Sequence, residues 1–263
     1  MDDITNMRMN KGNVDRIKTW VVGLDEKMEG GVPKESTVLI TGKPGCGKSI
    51  LLMHIIANNI LRNHMKGIYI SVEQPRKDVI SQAQQFGWDF EKMEQEGYLY
   101  IVALNSPELL ELEQIRDLHR FLQKNHYDIS AVDSLTSYSQ MPISSSLLLN
   151  TAEKGFQPIT WQELRRINAI LLMDTLKKEG ITSFFTSHKG EEKPEDTKEN
   201  ICEYRADCLI GLKAEMLGET LSRTLQVIKM RQTKIDGIPY DFEFTKDGIT
   251  LIPDELLEYA GKR

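Results

Sequence analysis

The chain has 263 residues, a formal net charge of −6 and a hydrophobic content of 40%. The length is sufficient for one large α/β domain, and the hydrophobic content excludes wholesale disorder. No apolar stretch approaches the ~20 residues of a membrane-spanning helix, so no membrane association is expected. The negative charge provides no global field that would attract nucleic acid.

Short apolar runs alternate with helical patterns in the first part of the chain. Buried strands are predicted at residues 37–41, 68–72, 98–103, 129–132 and 181–186. Helices are predicted between them at residues 49–65, 75–86, 107–125 and 161–179. This alternation predicts a mostly parallel, doubly wound sheet with helices on both faces.

The pattern changes after Cys208. Four short strands are predicted at residues 208–212, 224–230, 240–244 and 248–252, separated by glycine-containing turns. They are expected to form antiparallel hairpins that extend one edge of the sheet. No interdomain linker is recognisable, so a single domain is predicted over residues 1–263.

Residues 42–49 read Gly-Lys-Pro-Gly-Cys-Gly-Lys-Ser, which matches the phosphate-binding pattern G-x-x-x-x-G-K-[ST]. Lys48 is predicted to contact the β- and γ-phosphates, and the Ser49 hydroxyl to bind Mg²⁺. The glycines allow several backbone N–H groups to face one anion. The predicted phosphate ligands therefore also include Gly45, Cys46 and Gly47. The motif joins a predicted strand to a helix N-terminus, where the helix dipole favours phosphate. The sequence therefore predicts a site for ATP and Mg²⁺.

Two acidic residues follow predicted strands at what should be the same sheet edge. Asp133 is predicted to contact Mg²⁺ directly or through water, although an acid at this place also serves as a cap or turn residue. Glu73 can orient or activate the water that attacks the γ-phosphate, or it can cap the helix that opens at Pro75. The spacing alone does not decide between these two roles of Glu73.

Two further polar groups have alternative interpretations. Ser187 and His188 end a predicted strand and can sense the γ-phosphate, but a lone histidine there is more often a structural hydrogen-bonding group. Lys229 and Arg231 flank one apolar residue on a predicted strand and therefore share a face. They form either a solvated strand face or a phosphate clamp for a neighbouring subunit's nucleotide.

Several of these segments together resemble the KaiC group within the RecA/RadA superfamily of ATPases. The resemblance runs from about residue 18 to residue 252 and includes the phosphate loop and the Lys229-Met-Arg231 triplet with Thr233. Further matching segments are Val22-Gly-Leu-Asp25, Gly30-Gly-Val-Pro33, Val72-Glu-Gln-Pro75, Gln85-Phe-Gly-Trp-Asp89, Val132-Asp-Ser-Leu-Thr136 and Phe244-Thr-Lys-Asp-Gly-Ile249. The Gln85–Asp89 segment is the most distinctive, because no general argument about phosphate loops requires it.

The resemblance implies a RecA-like fold and ATP hydrolysis by a homo-oligomeric ring, usually a hexamer, with ATP at the subunit interfaces. It assigns Glu73 as the water-activating residue, whereas Gln74 replaces the family's second glutamate and cannot accept a proton. It also implies that four residues near the C-terminus contact the ATP bound to the neighbouring subunit. These are Lys229, Met230, Arg231 and Thr233. The family's clock protein has two tandem domains, and this chain has length for one. Autophosphorylation is not expected, because Glu203 and Tyr204 stand where the phosphorylated domain has serine and threonine.

Two alternative functions compete with a KaiC-like regulatory ATPase. A recombinase paralog would bind single-stranded DNA through a basic, aromatic central loop, but residues 139–160 carry Lys154 as their only basic residue. This segment is better suited to a protein partner or to the ring itself. A nucleotide-gated scaffold would bind ATP with little hydrolysis, and Gln74 favours that alternative.

A cytoplasmic location is expected. The N-terminus lacks a basic region followed by an apolar core, as a secretory signal would have. The cysteines Cys46, Cys202 and Cys208 show no zinc-site spacing, and a disulfide at Cys46 would obstruct the phosphate loop.

Overall fold

The computed structural model describes residues 14–104, 120–141, 160–188 and 201–253. The strands in these ranges are β1 Arg16–Ile17, β2 Val32–Pro33, β3 Thr37–Gly42, β4 Gly67–Ser71, β5 Leu99–Ala103, β6 Ile129–Asp133, β7 Thr182–His188, β8 Cys208–Leu217, β9 Thr220–Met230, β10 Pro239–Thr245 and β11 Gly248–Leu251. The helices are α1 Lys48–Asn63, α2 Arg76–Gln84, α3 Phe90–Gln95, α4 Leu135–Ser139, α5 Trp161–Lys178 and α6 Ile201–Arg205. A 3₁₀ helix covers Asp25–Met28, and residues 120–124 are helical.

Within the described ranges, nine strands form one sheet in the order β11-β10-β9-β8-β3-β7-β6-β4-β5. Neighbouring strands from β8 to β5 run parallel, whereas β9, β10 and β11 are added antiparallel. Every residue of β3, β4 and β6 is buried, which explains their continuous apolar character in the sequence. The predicted mixed sheet with antiparallel C-terminal strands is confirmed.

Two apolar clusters cover the two faces of the sheet. One cluster joins α1, α2 and α3 to the sheet and extends to the antiparallel strands. The other joins α4 and α5 to the opposite face. This three-layer arrangement brings the carboxyl ends of the parallel strands to one edge, where ligands of open α/β sheets bind.

The first of the four C-terminal strands has one parallel and one antiparallel neighbour. β8 forms the predicted antiparallel hairpin with β9 and joins the sheet by pairing parallel with β3. The backbone N–H of Asp207 donates to the carbonyl of Thr37, where β3 begins, so β8 starts at the amino end of the sheet and runs in the same direction as β3. The antiparallel addition therefore begins at β9.

Some predicted segments lie wholly or largely outside the described residues. These are most of the helix predicted at 107–125 and most of the segment 139–160. The helices α3, α4 and α6 were not predicted, because elements of five or six residues carry too little periodicity. In the described part of the chain, none of the helices combines the length and the apolar character needed to cross a bilayer.

The distinctive Gln85–Asp89 segment has a packing role. Its Trp88 stacks on Phe86 with ring centroids 5.1 Å apart and meets the His54 ring edge-on at 5.6 Å. Gly248, the first residue of β11, lies against this pair, and the backbone N–H of Ile249 donates to His54 Nδ1 (3.2 Å). The segment therefore anchors the last strand of the sheet to α1.

Replacing Gly248 by alanine should lower the free energy of unfolding by about 2 kcal/mol or more. A Cβ atom there would lie 2.0 Å from His54 Nδ1 and 2.8 Å from the Trp88 ring, at a φ of +115°. Urea unfolding followed by tryptophan fluorescence measures the effect. Gly237→Ala is the matched control, since its φ is +68° and nothing lies within 4 Å of its added Cβ. Equal destabilisation of the two variants would contradict the packing role.

Candidate nucleotide-binding site

The phosphate loop lies at the carboxyl edge of the parallel strands. It connects the end of β3 to the start of α1, and Gly42 pairs across the sheet with His188 at the end of β7. Ser71 and Asp133 are likewise paired, at the ends of β4 and β6. The sheet thus brings four chain segments that the sequence had singled out to one edge.

The N-terminus of α1 differs from those of three other helices. Asp89 caps α3, Ser134 caps α4, and a complete capping box formed by Thr160 and Glu163 caps α5. In α1 the capping position is Gly47, which offers no side-chain acceptor, and the first turn has no acidic residue. The first N–H groups of this 16-residue helix are therefore suited to a bound anion.

The loop itself is closely packed. The Lys48 side chain is 6% exposed, and its Nζ donates to the carbonyls of Gly42 (2.9 Å) and Lys43 (3.0 Å). Cys46 is fully buried, and burial raises the pKa of its thiol. Gly47 has a φ of +107°, and a Cβ there would lie 2.7 Å from the Phe244 ring. The loop conformation thus requires glycine at position 47.

Phe244 and Arg223 were not singled out individually by the sequence. Phe244 begins the family-like segment 244–249 and lies against the loop. The Arg223 guanidinium sits 4.7 Å from the centre of the Phe244 ring. The positive charge of Arg223 also acts on the Cys46 thiol. The hairpin geometry of β9 and β10 brings both residues to the loop, which no local spacing in the sequence reveals.

Asp133 ends β6 at the carboxyl edge of the parallel strands, where the phosphate loop also lies. Its carboxylate is 7% exposed and accepts hydrogen bonds from Thr186 Oγ1 (2.5 Å) and Tyr69 Oη (3.3 Å). The cap of α4 is Ser134, so the alternative role of Asp133 as a helix cap does not apply. In the described ranges, no group of three or more His, Cys, Asp or Glu residues surrounds a metal position. One carboxylate with one hydroxyl still fits Mg²⁺, which commonly takes its other ligands from phosphate and water.

Glu73 is held by three side chains at this edge. Its Oε1 accepts from Ser134 Oγ (2.5 Å), Ser137 Oγ (2.7 Å) and His188 Nε2 (2.9 Å). Burial raises the pKa of the Glu73 carboxyl, but hydrogen bonds from these residues outweigh burial and lower the pKa below its usual value. The carboxylate is therefore ionised at neutral pH. The helix that opens at Pro75 has no side-chain cap, so the capping role of Glu73 is excluded.

Polar groups from α4 and β7 extend this arrangement. The Ser187 hydroxyl lies 3.1 Å from Thr136 Oγ1, and the backbone N–H of His188 donates to the same oxygen (3.0 Å). His188 is therefore held by α4 through its backbone, while its ring nitrogen donates to Glu73.

Gln74 follows Glu73 in the sequence. Its Oε1 atom is buried and has no hydrogen-bond partner among the described residues.

The basic pair Lys229 and Arg231 lies at the amino ends of the parallel strands, opposite the phosphate loop. The Arg231 N–H donates to the Asp207 carbonyl, and the Asp207 N–H donates to the carbonyl of Thr37, where β3 begins. The phosphate loop follows the other end of β3, about 16 Å away at roughly 3.3 Å per residue. The pair is therefore not positioned to contact the nucleotide of its own chain.

Both cations are tied to α6 and the residues after it. Lys229 Nζ donates to the carbonyls of Ala206 (2.6 Å), Tyr204 (2.9 Å) and Glu203 (3.2 Å). Burial, together with the neighbouring charge of Arg231, lowers the Lys229 pKa. Arg231 donates to the Tyr204 carbonyl (3.3 Å) and to Asp207 Oδ1 (3.1 Å). Both side chains thus contact the Tyr204 carbonyl, although β9 ends at Met230 and Arg231 follows it directly.

Asp207 connects this pair to the core. Its Oδ2 accepts from the Thr37 N–H (3.0 Å) and from Lys177 Nζ (2.6 Å). Burial raises the Asp207 pKa, and the bonds from Lys177 and Thr37 with the nearby Arg231 charge outweigh it, so the pKa is lowered. Of the other predicted members, Met230 is 6% exposed in the core, so only its backbone is available to a ligand. Thr233 Oγ1 accepts from Arg16 (2.8 Å).

The fold and the loop define a RecA-like P-loop nucleotidase fold. The sequence model of the KaiC ATPase family matches residues 17–256, and the chain belongs to this family.

Known proteins agree with this assignment. The circadian clock oscillator protein KaiC of Picosynechococcus sp. is 28% identical over 248 residues, which are 91% of this chain and 45% of that protein. The clock protein KaiC2 of Synechocystis sp. is 26% identical over 89% of this chain and 39% of its own length. The chain thus spans less than half the length of these curated relatives. A crystal structure of a KaiC-like protein from Pyrococcus horikoshii OT3 superposes with a TM-score of 0.74 at 26% identity, covering 91% of this chain and all of that one.

Proposed function

We propose that the protein is an ATPase that forms a homo-oligomeric ring with ATP held between subunits. The observation that carries the hydrolytic part is the meeting of the phosphate loop, Asp133 and the anchored Glu73 at one edge of the sheet. Membership of the KaiC ATPase family supports the same activity. The proposed unit is a single domain over residues 1–263, and a cytoplasmic location is proposed from the cysteine pattern alone.

Each group in this site has a distinct role. The loop N–H groups and Lys48 bind the phosphates, and the Ser49 hydroxyl and Asp133 hold Mg²⁺ directly or through water. When bound, Mg²⁺ would neutralise charge on the β- and γ-phosphates. Glu73 orients the attacking water and accepts its proton, and its anchors fix the carboxylate in place. The lowered pKa makes Glu73 a weak base, so orientation is the larger part of its role.

The ring interface is proposed from the position of the basic pair. Lys229 and Arg231 lie at the edge opposite their own loop, so a phosphate-clamp role requires the loop of a neighbouring subunit. Contacts with Asp207 and the carbonyls around α6 hold the two side chains together. The Arg231 side chain is still 51% exposed, which leaves part of its guanidinium accessible to a partner.

A nucleotide-gated scaffold with little hydrolysis is the second candidate. The observation that favours it is Gln74, whose amide replaces a second carboxylate and whose Oε1 is buried without a partner in the described ranges. Such a protein would bind ATP and assemble with it, but its turnover would not depend on Glu73. DNA binding has no comparable support, and a protein partner at residues 139–160 stays a prediction.

Replacing Glu73 by glutamine should slow ATP hydrolysis by ~10²-fold or more while ATP remains bound. The amide keeps the size of the side chain but cannot accept a proton. Phosphate release under saturating Mg-ATP gives the turnover, and calorimetry gives the affinity. Glu91→Gln, at an exposed position in the first turn of α3, is the control. Wild-type turnover of the Glu73 variant would favour the scaffold, and complete lack of ATP binding by the wild-type chain would contradict both candidates.

A further inference from the structure

A cleft of about 320 Å³ lies beside the catalytic edge, on the face of the sheet that α4 and α5 cover. Its polar wall includes Arg165 and Arg166 of α5, Ser139 of α4, and Ser187 and His188 of β7. Its apolar lining includes Leu39, Leu135 and Ala169. The lining residues are thus mostly polar with a smaller apolar part, and the volume is at the small end of the range of small-molecule sites. We call this feature the arginine cleft.

The charged residues that line the arginine cleft are positive. Among the described residues that line it, none is acidic. Neither Arg165 nor Arg166 forms a hydrogen bond or an ion pair with another residue of the described ranges. The Arg166 charge acts on Glu163, but that carboxylate accepts the hydrogen bonds of Thr160 in the capping box of α5. Two guanidinium groups that make no ion pair within the described ranges favour a phosphate or carboxylate ligand.

The cleft also contacts the groups that hold Glu73. His188 lines the cleft and donates from Nε2 to the Glu73 carboxylate (2.9 Å). Ser187 and Thr136 line it as well, and Thr136 Oγ1 accepts from the His188 backbone N–H. A ligand that moved His188 or Thr136 would therefore change the hydrogen bonds that position Glu73.

We propose that the arginine cleft binds a small organic anion, with its phosphate or carboxylate on Arg165 and Arg166 and its apolar body on Leu39 and Leu135, and that this ligand changes the rate of ATP hydrolysis. None of the phosphate-loop residues 42–49 lines the cleft, so the bound anion is distinct from the nucleotide phosphates held by that loop. The effect on rate rests on the proposed ATPase function. Binding of the anion does not rest on that function, because Lys48 does not line the cleft.

Phenyl phosphate is the probe. Its binding is measured in the Lys48→Ala variant, so that binding of its phosphate at the phosphate loop does not contribute. Calorimetry should show binding with a Kd of about 1 mM or below. Arg165→Gln with Arg166→Gln should weaken it about tenfold or more. Arg165→Gln alone, at an exposed helix position, should give part of that loss if the double variant does not fold. Arg205→Gln is the control, because that arginine pairs with Asp174 outside the cleft lining.

Two comparisons identify the kind of ligand. Benzyl alcohol, which has the ring without the charge, should bind at least about tenfold more weakly than phenyl phosphate. A single-stranded oligothymidylate should show no arginine-dependent binding. Equal affinity for the alcohol, arginine-dependent binding of the oligonucleotide, or binding of phenyl phosphate that survives loss of both arginines would each overturn the proposal.

The effect on turnover is measured in the chain with Lys48 intact, at saturating Mg-ATP. Phenyl phosphate should change phosphate release at least about twofold, and Arg165→Gln with Arg166→Gln should abolish the change while basal turnover persists. Unchanged turnover at a concentration that fills the cleft would contradict the link to Glu73. Absence of any ATPase activity would contradict the proposed function, and the calorimetric result would still decide whether the cleft binds the anion.

Discussion

Replacing Lys48 by alanine should abolish Mg-ATP binding and leave the fold intact. The Lys48 Nζ lies inside the phosphate loop on the carbonyls of Gly42 and Lys43, from where it can reach the β- and γ-phosphates. Loss of two charge-assisted hydrogen bonds costs about 3 kcal/mol or more, which weakens binding by at least ~10²-fold. Calorimetry with Mg-ATP measures the affinity, and far-ultraviolet circular dichroism verifies the fold.

Lys43→Ala provides the matched control. Lys43 belongs to the same loop, carries the same charge and has an exposed side chain, so its loss removes one positive charge near the site. ATP affinity of this variant should stay within a few-fold of wild type, as expected for a solvent-screened charge. If the two variants lose affinity equally, the effect of Lys48 is that of net charge, and its specific contact with phosphate is contradicted.

The phosphate loop and the order of the first strands could be read from the sequence for physical reasons. A glycine-rich loop between a buried strand and a helix imposes local geometry, and an uncapped α1 follows directly from Gly47 at the capping position. Strands β3, β4 and β6 are buried on both faces, so their sequences are continuously apolar. These features depend on neighbours in the chain, which a sequence displays.

The rest of the site depends on contacts between distant segments. Glu73 accepts hydrogen bonds from Ser134, Ser137 and His188, which are 61 to 115 residues away in the chain. The spacing of Glu73 alone left both of its predicted roles open. Tertiary packing excludes the cap, and the role in water activation is proposed from the family resemblance. Distant segments of the chain also meet in the parallel pairing of β8 with β3 and in the arginine cleft, which no motif marks.

The contacts of Lys229 and Arg231 narrow the roles that this pair can have. The sequence offered a solvated strand face or a clamp in a neighbouring subunit. In the structure the pair is engaged with Asp207 and the carbonyls around α6, so it is not simply solvated. The pair is too far from the phosphate loop of its own chain to contact that loop's nucleotide. Two roles remain: contact with the nucleotide of another subunit, or a purely structural role.

Arg231→Ala should lower ATP hydrolysis by ~10³-fold or more and weaken ATP-dependent assembly at the same time. A cation that contacts a neighbour's γ-phosphate stabilises the transition state on the scale of an arginine finger. Nucleotide bound between subunits also stabilises the ring by mass action. Phosphate release measures the first effect, and light scattering with and without Mg-ATP measures the second. Lys177→Ala is the matched control, because it removes the other ion pair of Asp207 and leaves Arg231 in place.

Mixing two inactive variants separates action on a neighbour from action within one chain. Lys48→Ala subunits cannot hold ATP but still offer Arg231, whereas Arg231→Ala subunits hold ATP but lack the finger. Mixed rings contain some interfaces that pair an intact loop with an intact Arg231, so they should regain a fraction of wild-type turnover. Subunit exchange is verified independently with differently labelled chains. If exchange occurs and activity does not return, Arg231 acts structurally through Asp207, and Lys177→Ala should then reproduce the loss of activity.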